Sequence, residues 1–437
     1  MSYEAATAYL DALGVDAMKK LAPSTARIEA LCDLLNNPER VVPAIHITGT
    51  NGKTSTARIA SSLLTAAGLS VGTYTSPHLQ TVRERIAFAG EPITAATFGE
   101  LFEHIHPYVV AVEARLDERI SYFELLTAMF FLWAAETPVD AVVVEVGLGG
   151  RWDATNVLVA SVPVVTNVDL DHTPMLGATA VEIAAEKVGI VKPGSTLITA
   201  ERVPGVLAVL AEQAPEMVTI GRDFDVLENR IAFGGRYLSL RSSTSTYEGL
   251  FLPLHGAHQG VNAATAVEAV TRFIPARTLA PDIVMEGLAS VRAPGRLEST
   301  HVGGSTVPIV LDVAHNPAGM SAMITSLIEA FAFERAVFVV GVLRDKDHVG
   351  IMAEIARVGG TVISTEARNA RSVPASVLSD TARGFGMESE SVQDVSEAID
   401  RAIQIATEAD LICITGSHYV VGEARDVLLP SGAKTPT

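Results

Sequence analysis

The sequence predicts an α/β protein in which a mostly parallel sheet domain carrying a phosphate-binding loop (P-loop) is followed by a smaller, Rossmann-like α/β domain. Three observations carry that expectation. Between about residues 40 and 200, short β-branched runs, glycine-containing turns and helical stretches follow one another, the rhythm of a parallel sheet covered by helices. Gly49-Thr-Asn-Gly-Lys-Thr-Ser55 joins the first of those runs to the first of those helices. After Ser290-Val-Arg-Ala-Pro-Gly-Arg296 the alternation starts again. At about 150 residues per domain the 437 residues allow two or three units, and the Pro-Gly turn divides them into residues 1–295 and 296–437.

Val41-Val-Pro-Ala-Ile-His-Ile47 reads as the first strand, and Ile59, Leu63, Leu64 and Ala67 then recur at helical spacing up to a stop at Gly68. Further strands are predicted at 69–74, 141–146 and 162–168, the last two as continuous apolar runs of the kind buried on both faces of a sheet. Residues 232–254, broken by Gly234-Gly235 and a Ser/Thr cluster, read as an exposed, peripheral antiparallel hairpin. In the second unit, strands are predicted at 307–311, 336–342, 360–364 and 411–415 with helical periodicity between them. Residues 430–437 read as a loose tail.

Composition narrows the function. With 48% hydrophobic and 19% charged residues the chain folds, and 32 basic against 50 acidic residues give a formal charge of −18, which repels a nucleic-acid backbone. Cys32 and Cys413 form neither a disulfide framework nor a metal-binding pair, so a reducing cytoplasm is expected. The most lipid-like run, 125–135, is too short to span a bilayer and includes Thr127, so no membrane partner is expected. The acidic start MSYEAATAYLDALG does not read as a signal peptide.

The sharpest chemical signal is the loop Gly49, Thr50, Asn51, Gly52, Lys53, Thr54 and Ser55 between strand and helix. Backbone N–H groups and the helix start favour phosphate there, Lys53 reaches the β- and γ-phosphates, and Thr54 takes Mg²⁺. Ile47 occupies the first-glycine slot of the usual G-x-x-x-x-G-K-[ST] pattern. Glu145 interrupts the apolar strand 141–146 and is costly to bury without a cation, which makes it a metal-ligand candidate. The next strand leads to Asp169-Leu-Asp-His172, again at a carboxyl end, so His172 is a candidate ligand to a second metal and otherwise a structural histidine. Local sequence alone makes Lys187 a solvated lysine on an amphipathic helix. His104-x-His106 has metal-like spacing within a helical pattern and reads as structural.

Taken together, these residues resemble a known group. Gly49 to Ser55, Thr75-Ser-Pro-His-Leu79 with Arg83-Glu-Arg85, Glu145-Val-Gly-Leu-Gly-Gly-Arg-Trp-Asp-Ala-Thr-Asn-Val157, and Asp171-His172 with Glu186-Lys-Val-Gly-Ile190 resemble the folylpolyglutamate synthase family, which belongs with the Mur ligases. His255-Gly-Ala-His-Gln-Gly-Val-Asn262, Pro294-Gly-Arg296, Asp312-Val-Ala-His-Asn-Pro317 and Leu343-Arg-Asp-Lys-Asp347 continue the match in order along nearly the whole chain. The resemblance implies that Lys53 and Thr54 hold the ATP phosphates and Mg²⁺, with Ser55 supporting the loop. Glu145 and His172 become ligands of two metals, and Lys187 matches a lysine that the family often carries as a carbamate. Asn262, Arg296, Asp312 and His315 fall where the family contacts nucleotide, Arg296 at phosphate and Asp312 at ribose. Lys346 and Ser417 fall where a related ligase positions glutamate, and Arg83 and Asp153 match positions linked to the folate or pteroate substrate.

The implied reaction is ATP-dependent ligation of L-glutamate to dihydropteroate and to folates through an acyl phosphate, by a cytoplasmic monomer. A Mur ligase proper would carry a further N-terminal domain, whereas only 48 residues precede Gly49, fewer than the roughly 100 of a typical domain. A folate substrate is therefore expected. A chain extender without the first activity, or a nucleotide switch that hydrolyses ATP to reset itself, are the alternatives; the switch leaves Glu145, His172, Lys187 and the second unit unexplained. Within the family pattern, Gly150-Arg-Trp-Asp-Ala-Thr-Asn156 looks like the bifunctional bacterial type, with Trp152 in place of a smaller residue.

Overall fold

Pro43 has no N–H to give a ladder, so the first strand begins just after it, as β1 (Ala44–Thr48), with every residue buried. The computed structural model describes residues 2–14, 23–301 and 307–429, and the tail expected at 430–437 lies outside them. The first sheet adds β2 (Val71–Tyr74), β3 (Ile86–Phe88), β4 (Glu91–Pro92), β5 (Ala141–Glu145), β6 (Val162–Val165), β7 (Leu197–Thr199) and β8 (Met217–Thr219) in the order β4-β3-β2-β5-β1-β6-β7-β8. All neighbours are parallel except β2–β3 and β3–β4. The chain leaves β1 for β2 on one side and later reaches β6 on the other. β1 thus marks the switch point where an open parallel sheet forms a crevice at its carboxyl end.

Ile59, Leu63 and Leu64 of the helix Lys53–Ala66 are fully buried on one face of this sheet, in a core shared with the helices His258–Phe273 and Pro281–Ala289. The opposite face is covered by the helices Ala95–Leu116 and Tyr122–Glu136, themselves covered by Tyr3–Leu13 and Ala26–Leu34. His104 and His106 lie on Ala95–Leu116. His104 faces Glu136 at 3.4 Å, and the His106 ring packs against Phe102 and Tyr9.

Ahead of the segment expected as an exposed hairpin lies β9 (Asp225–Ala232); the segment itself pairs antiparallel as expected, β10 (Gly235–Arg241) with β11 (Thr246–Leu252), and the three strands form a meander. It is not peripheral: Leu238, Leu240, Tyr247, Leu250 and Leu252 are buried in the core against the helices His258–Phe273 and Pro281–Ala289. The alternation of one apolar face was hidden by register shifts on both sides of β10, which break the two-residue period.

The second sheet contains β12 (Glu298–Thr300), β13 (Ile309–Leu311), β14 (Arg335–Val340), β15 (Thr361–Ser364), β16 (Glu388–Ser391) and β17 (Asp410–Thr415), ordered β12-β13-β17-β14-β15-β16 and parallel except for the edge strand β12. Helices Pro317–Ala330 and His348–Ile355 cover one face, and Val395–Ile405 with His418–Leu428 the other. Among the described residues no helix is long and apolar enough to cross a membrane.

Candidate active site

The loop after β1 is held from the end of the neighbouring strand β6. Thr50 N–H donates to the Asn167 carbonyl (2.8 Å), Asn51 N–H to Asn167 Oδ1 (2.9 Å), and Thr166 Oγ1 to the Asn51 carbonyl (2.6 Å). The Thr50 hydroxyl exchanges hydrogen bonds with the backbone of Asp169. Gly52 then turns into the helix at φ +82°, where an added Cβ would stand 2.5 Å from Asn262 Oδ1; both the conformation and the space demand glycine. Lys53 Nζ folds back onto the carbonyls of Gly49 (2.9 Å) and Thr50 (3.2 Å). Ser55 is buried beneath the loop.

Glu145 ends β5 beside this loop, fully buried. Its Oε1 accepts from Thr54 Oγ1 at 2.9 Å and its Oε2 from Ser76 N–H at 3.1 Å. Burial raises its pKa, against the pull of Lys53 and these two donors. Burial conversely lowers the pKa of Lys53, which Glu145 and Asp171 oppose. Lys187, expected from local sequence on a solvated face, is buried. Its Nζ donates to the Gly49 carbonyl at 2.8 Å, and burial together with Lys53 holds its pKa well below the usual lysine value. The side chain is thus pressed toward the neutral, nucleophilic amine.

His172, in the left-handed region at φ 50°, lies with Asp171 against the C-terminal unit. Lys346 Nζ donates to Asp171 Oδ1 (2.9 Å) and to His172 Nε2 (3.2 Å), and Asn316 Nδ2 reaches Asp171 Oδ2 (3.3 Å). Burial and then Lys346 hold the His172 pKa down at about 4, so the ring is a neutral acceptor. Across the same gap runs a cleft of about 300 Å³. The P-loop forms one wall, Gln259 and Asn262 stand at one side, and Arg296, Asp312, His315 and Asn316 form the other wall. Asp312 accepts N–H groups from Leu297 (2.9 Å) and Ala314 (2.8 Å), while burial raises its pKa against the charge of Arg296. His315 bonds the Val313 carbonyl through Nδ1 (2.8 Å), and its ring packs at a tilt of 52° with its centroid 5.1 Å from that of His418.

The other expected residues lie outside this cleft. Arg83 donates to the Ile93 carbonyl (2.9 Å) with its guanidinium over the Tyr3 ring. Asp153 is buried and spends its carboxylate on the N–H groups of Leu148 (2.9 Å) and Thr155 (3.0 Å) and on the Thr155 hydroxyl, pinning the glycine-rich turn after Glu145. Ser417 caps the helix His418–Leu428 by accepting from Val420 N–H. Sequence reasoning missed Thr166, Asn167, Gln259 and Asn316. The position of Thr166-Asn167 at a strand's carboxyl end could have marked that pair.

The Mur ligase middle domain matches residues 47–270, and the Mur ligase glutamate ligase domain matches residues 295–418. The dihydrofolate synthase/folylpolyglutamate synthase of Mycobacterium tuberculosis is 39% identical over 441 residues, covering 93% of this chain and 90% of that protein. The protein of the same name from Bacillus subtilis is 32% identical over 92% of this chain and 94% of its own length. Among solved structures, M. tuberculosis folylpolyglutamate synthase complexed with ADP and AMPPCP superposes with a TM-score of 0.91 at 38% identity, covering 99% of this chain and 100% of that one. An Escherichia coli protein in complex with DHPP and ADP gives 0.86 at 28% identity, over 97% of both chains. With Mur ligase domains matching residues 47–270 and 295–418 and a relative 39% identical over 93% of this chain, the chain belongs to the folylpolyglutamate synthase family of the Mur ligases, ATP-dependent ligases of glutamate.

Proposed function

We propose that this protein is a bifunctional dihydrofolate synthase and folylpolyglutamate synthase, joining L-glutamate to dihydropteroate and then to the glutamate tail of tetrahydrofolates. The observation that carries the reading is the cleft with the P-loop on one wall and Arg296, Asp312 and His315 on the other, which presents cationic and hydrogen-bonding groups to a nucleotide between two domains. A carboxylate is a poor acyl donor because oxide would have to leave. Its oxygen therefore attacks the γ-phosphorus of ATP, the bond to ADP breaks, and an acyl phosphate forms. The amine of glutamate then attacks the acyl carbon, loses a proton, and expels phosphate. Lys53 and Arg296 offset the repulsion between two polyanions, which the net charge of −18 would otherwise aggravate.

Thr54 Oγ1 and Glu145 Oε1, 2.9 Å apart and both hard oxygen donors, suit Mg²⁺. Bound there, Mg²⁺ would supply charge neutralisation and orientation for the phosphates. The described residues contain no group of three or more His, Cys, Asp or Glu side chains able to hold a metal, so a second site at His172 needs an oxygen donor that the Lys187 amine lacks. Reaction of that amine, in its uncharged form, with CO₂, forming an N–C bond and releasing a proton, would provide it as a carbamate. Lys346 and Ser417 would orient glutamate, and Arg83 and Asp153 the pterin-bearing substrate, Asp153 through the turn that it pins. We take the working protein to be a cytoplasmic monomer that binds neither nucleic acid nor membrane.

Phosphate release from ATP with purified protein, glutamate and Mg²⁺ tests this with dihydropteroate, with tetrahydrofolate and with no acceptor. Release with both acceptors is expected. Release with tetrahydrofolate alone would reduce the protein to a chain extender, and release indifferent to acceptor would favour a nucleotide switch.

A further inference from the structure

The segment 75–81 between β2 and the turn Val82–Arg85 touches the catalytic carboxylate at one end and the second domain at the other. At its start, Thr75 N–H donates to the Arg85 carbonyl (3.1 Å) and Ser76 N–H to Glu145 Oε2 (3.1 Å). At its end, the N–H groups of Leu79 (2.9 Å), Gln80 (2.9 Å) and Thr81 (2.8 Å) converge on the carboxylate of Glu84, which fixes the curve of the loop. That same end leans on the helix His418–Leu428. There Gly422 lies so close to Leu79 that an added Cβ would stand well inside van der Waals contact with the Leu79 carbonyl. Gly422 is flanked by Val420, Val421 and Ala424, which anchor the helix in its own domain's core, and Leu79 packs against that core.

A polar chain runs beside this contact. Gln80 Nε2 donates to Asp426 Oδ1 (2.8 Å), and Arg425 Nε donates to Gln80 Oε1 (3.1 Å). Arg425 also pairs with Glu298, whose Oε2 accepts from the N–H of Gly295 in the turn between the domains (2.8 Å). Groups from the interdomain turn to Glu145 are therefore in continuous contact. None of residues 75–81, Gly422 or Arg425 lines the nucleotide cleft.

We propose that Gly422 and Arg425 are positioning residues through which the C-terminal domain sets the loop 75–81, and with it the Ser76 N–H that orients Glu145, so that docking of the domains is a condition for phosphoryl transfer. The inference rests on the ligase reading and adds to it the route by which the second domain reaches the catalytic carboxylate. Glycine inside a helix is otherwise unfavourable relative to alanine, so its use at 422 is explained by the approach of the Leu79 backbone.

The test uses the full-length protein, comparing unsubstituted enzyme with Gly422→Ala and Gln80→Ala. For Gly422→Ala, kcat is expected to fall about tenfold or more, as for a catalytic group displaced by a fraction of an ångström. ADP affinity should stay within about twofold, because the loop 75–81 yields to the added methyl while the Lys346–Asp171 pair still holds the two walls of the cleft together. The melting temperature should change little, since the overlap with the Leu79 carbonyl is relieved by the loop rather than by either domain's core, and alanine favours the helix. Hydrogen exchange at the amides of Leu79, Gln80 and Thr81 should accelerate. Gln80→Ala, which adds no bulk, should show the same pattern with a smaller fall in kcat, and it decides the matter if Gly422→Ala does not fold. A kcat within about twofold of the unsubstituted enzyme, or a fall in kcat matched by falls in ADP affinity and melting temperature, would overturn the proposal. Lack of acceptor-dependent phosphate release by the unsubstituted enzyme would instead overturn the ligase reading, and the exchange measurement would still decide whether Gly422 holds the loop.

Discussion

Lowering the pH from 7 to 5 should destabilise the protein through His46, a residue that takes no part in the chemistry. The side chain is fully buried on β1 and its Nε2 lies 2.8 Å from Thr155 Oγ1. The Thr155 hydroxyl gives its own proton to Asp153, so His46 must donate through Nε2. Nδ1 is then a bare acceptor, and it is buried without a hydrogen-bond partner. Protonation there would place a charge in the core with nothing to receive it. Burial, and then the charge of Lys192, accordingly hold the pKa at about 3, against 6.5 for the ordinary side chain. Between those values the unfolded chain binds a proton that the native state refuses, so stability present above pH 6.5 is lost as the pH falls toward 3. At pH 5 the loss is about 2 kcal/mol, from 1.36 kcal/mol per pH unit. Urea unfolding of the natural protein and of His46→Asn at pH 7 and pH 5 isolates this amount, because the packing cost of the substitution is the same at both pH values and cancels. An equal loss of stability with pH in the two proteins would refute the reasoning.

Gly52→Ala should abolish tight nucleotide binding, since its Cβ would collide with Asn262 at a φ that alanine disfavours; titration with ADP should show a loss of about tenfold or more, the scale of one to three kcal/mol of backbone strain. Lys187→Ala should lose most ligase activity and regain part of it with acetate or formate, which can occupy the place of a carbamate. Absence of rescue with unchanged metal affinity would show that the lysine acts only by its bond to Gly49. Asp153→Ala should lower dihydropteroate turnover more than tetrahydrofolate turnover in steady-state assays, and equal falls would show that the carboxylate merely shapes the turn after Glu145.

The parts of the site legible in the sequence are those whose chemistry conflicts with their surroundings. Glu145 stood out because it interrupts an apolar strand, and Gly52-Lys53-Thr54 because no regular element wants a glycine turn in that place. Lys187 was illegible locally, since its helical spacing fits a solvent face; its burial arises from Gly49, 138 residues away in sequence. The same limit hid Asp171–Lys346 and Gly422–Leu79, whose partners are brought together only by docking of the domains. Among the elements, the long apolar strands β5, β6, β14 and β17 were visible. The short edge strands β3, β4 and β12 carry too few residues to show a period, and β16, Glu-Ser-Glu-Ser, has no apolar face.

The helix Tyr122–Glu136 is buried from Tyr122 through Ala134, with no side turned to water. Part of its cover comes from residues outside the span of the Mur ligase middle domain: the helix Ala26–Leu34, with Ile28, Leu31 and Cys32 in the shared core, and the turn Pro38–Arg40 pack on it, while Ala6 and Leu10 belong to the same core. During synthesis this N-terminal cover leaves the ribosome first, so the most insoluble stretch of the protein emerges into a chain that already holds its wrapping. Expression clones trimmed to start near residue 47 would strip that wrapping away and expose an oily cylinder, and inclusion bodies are the expected product.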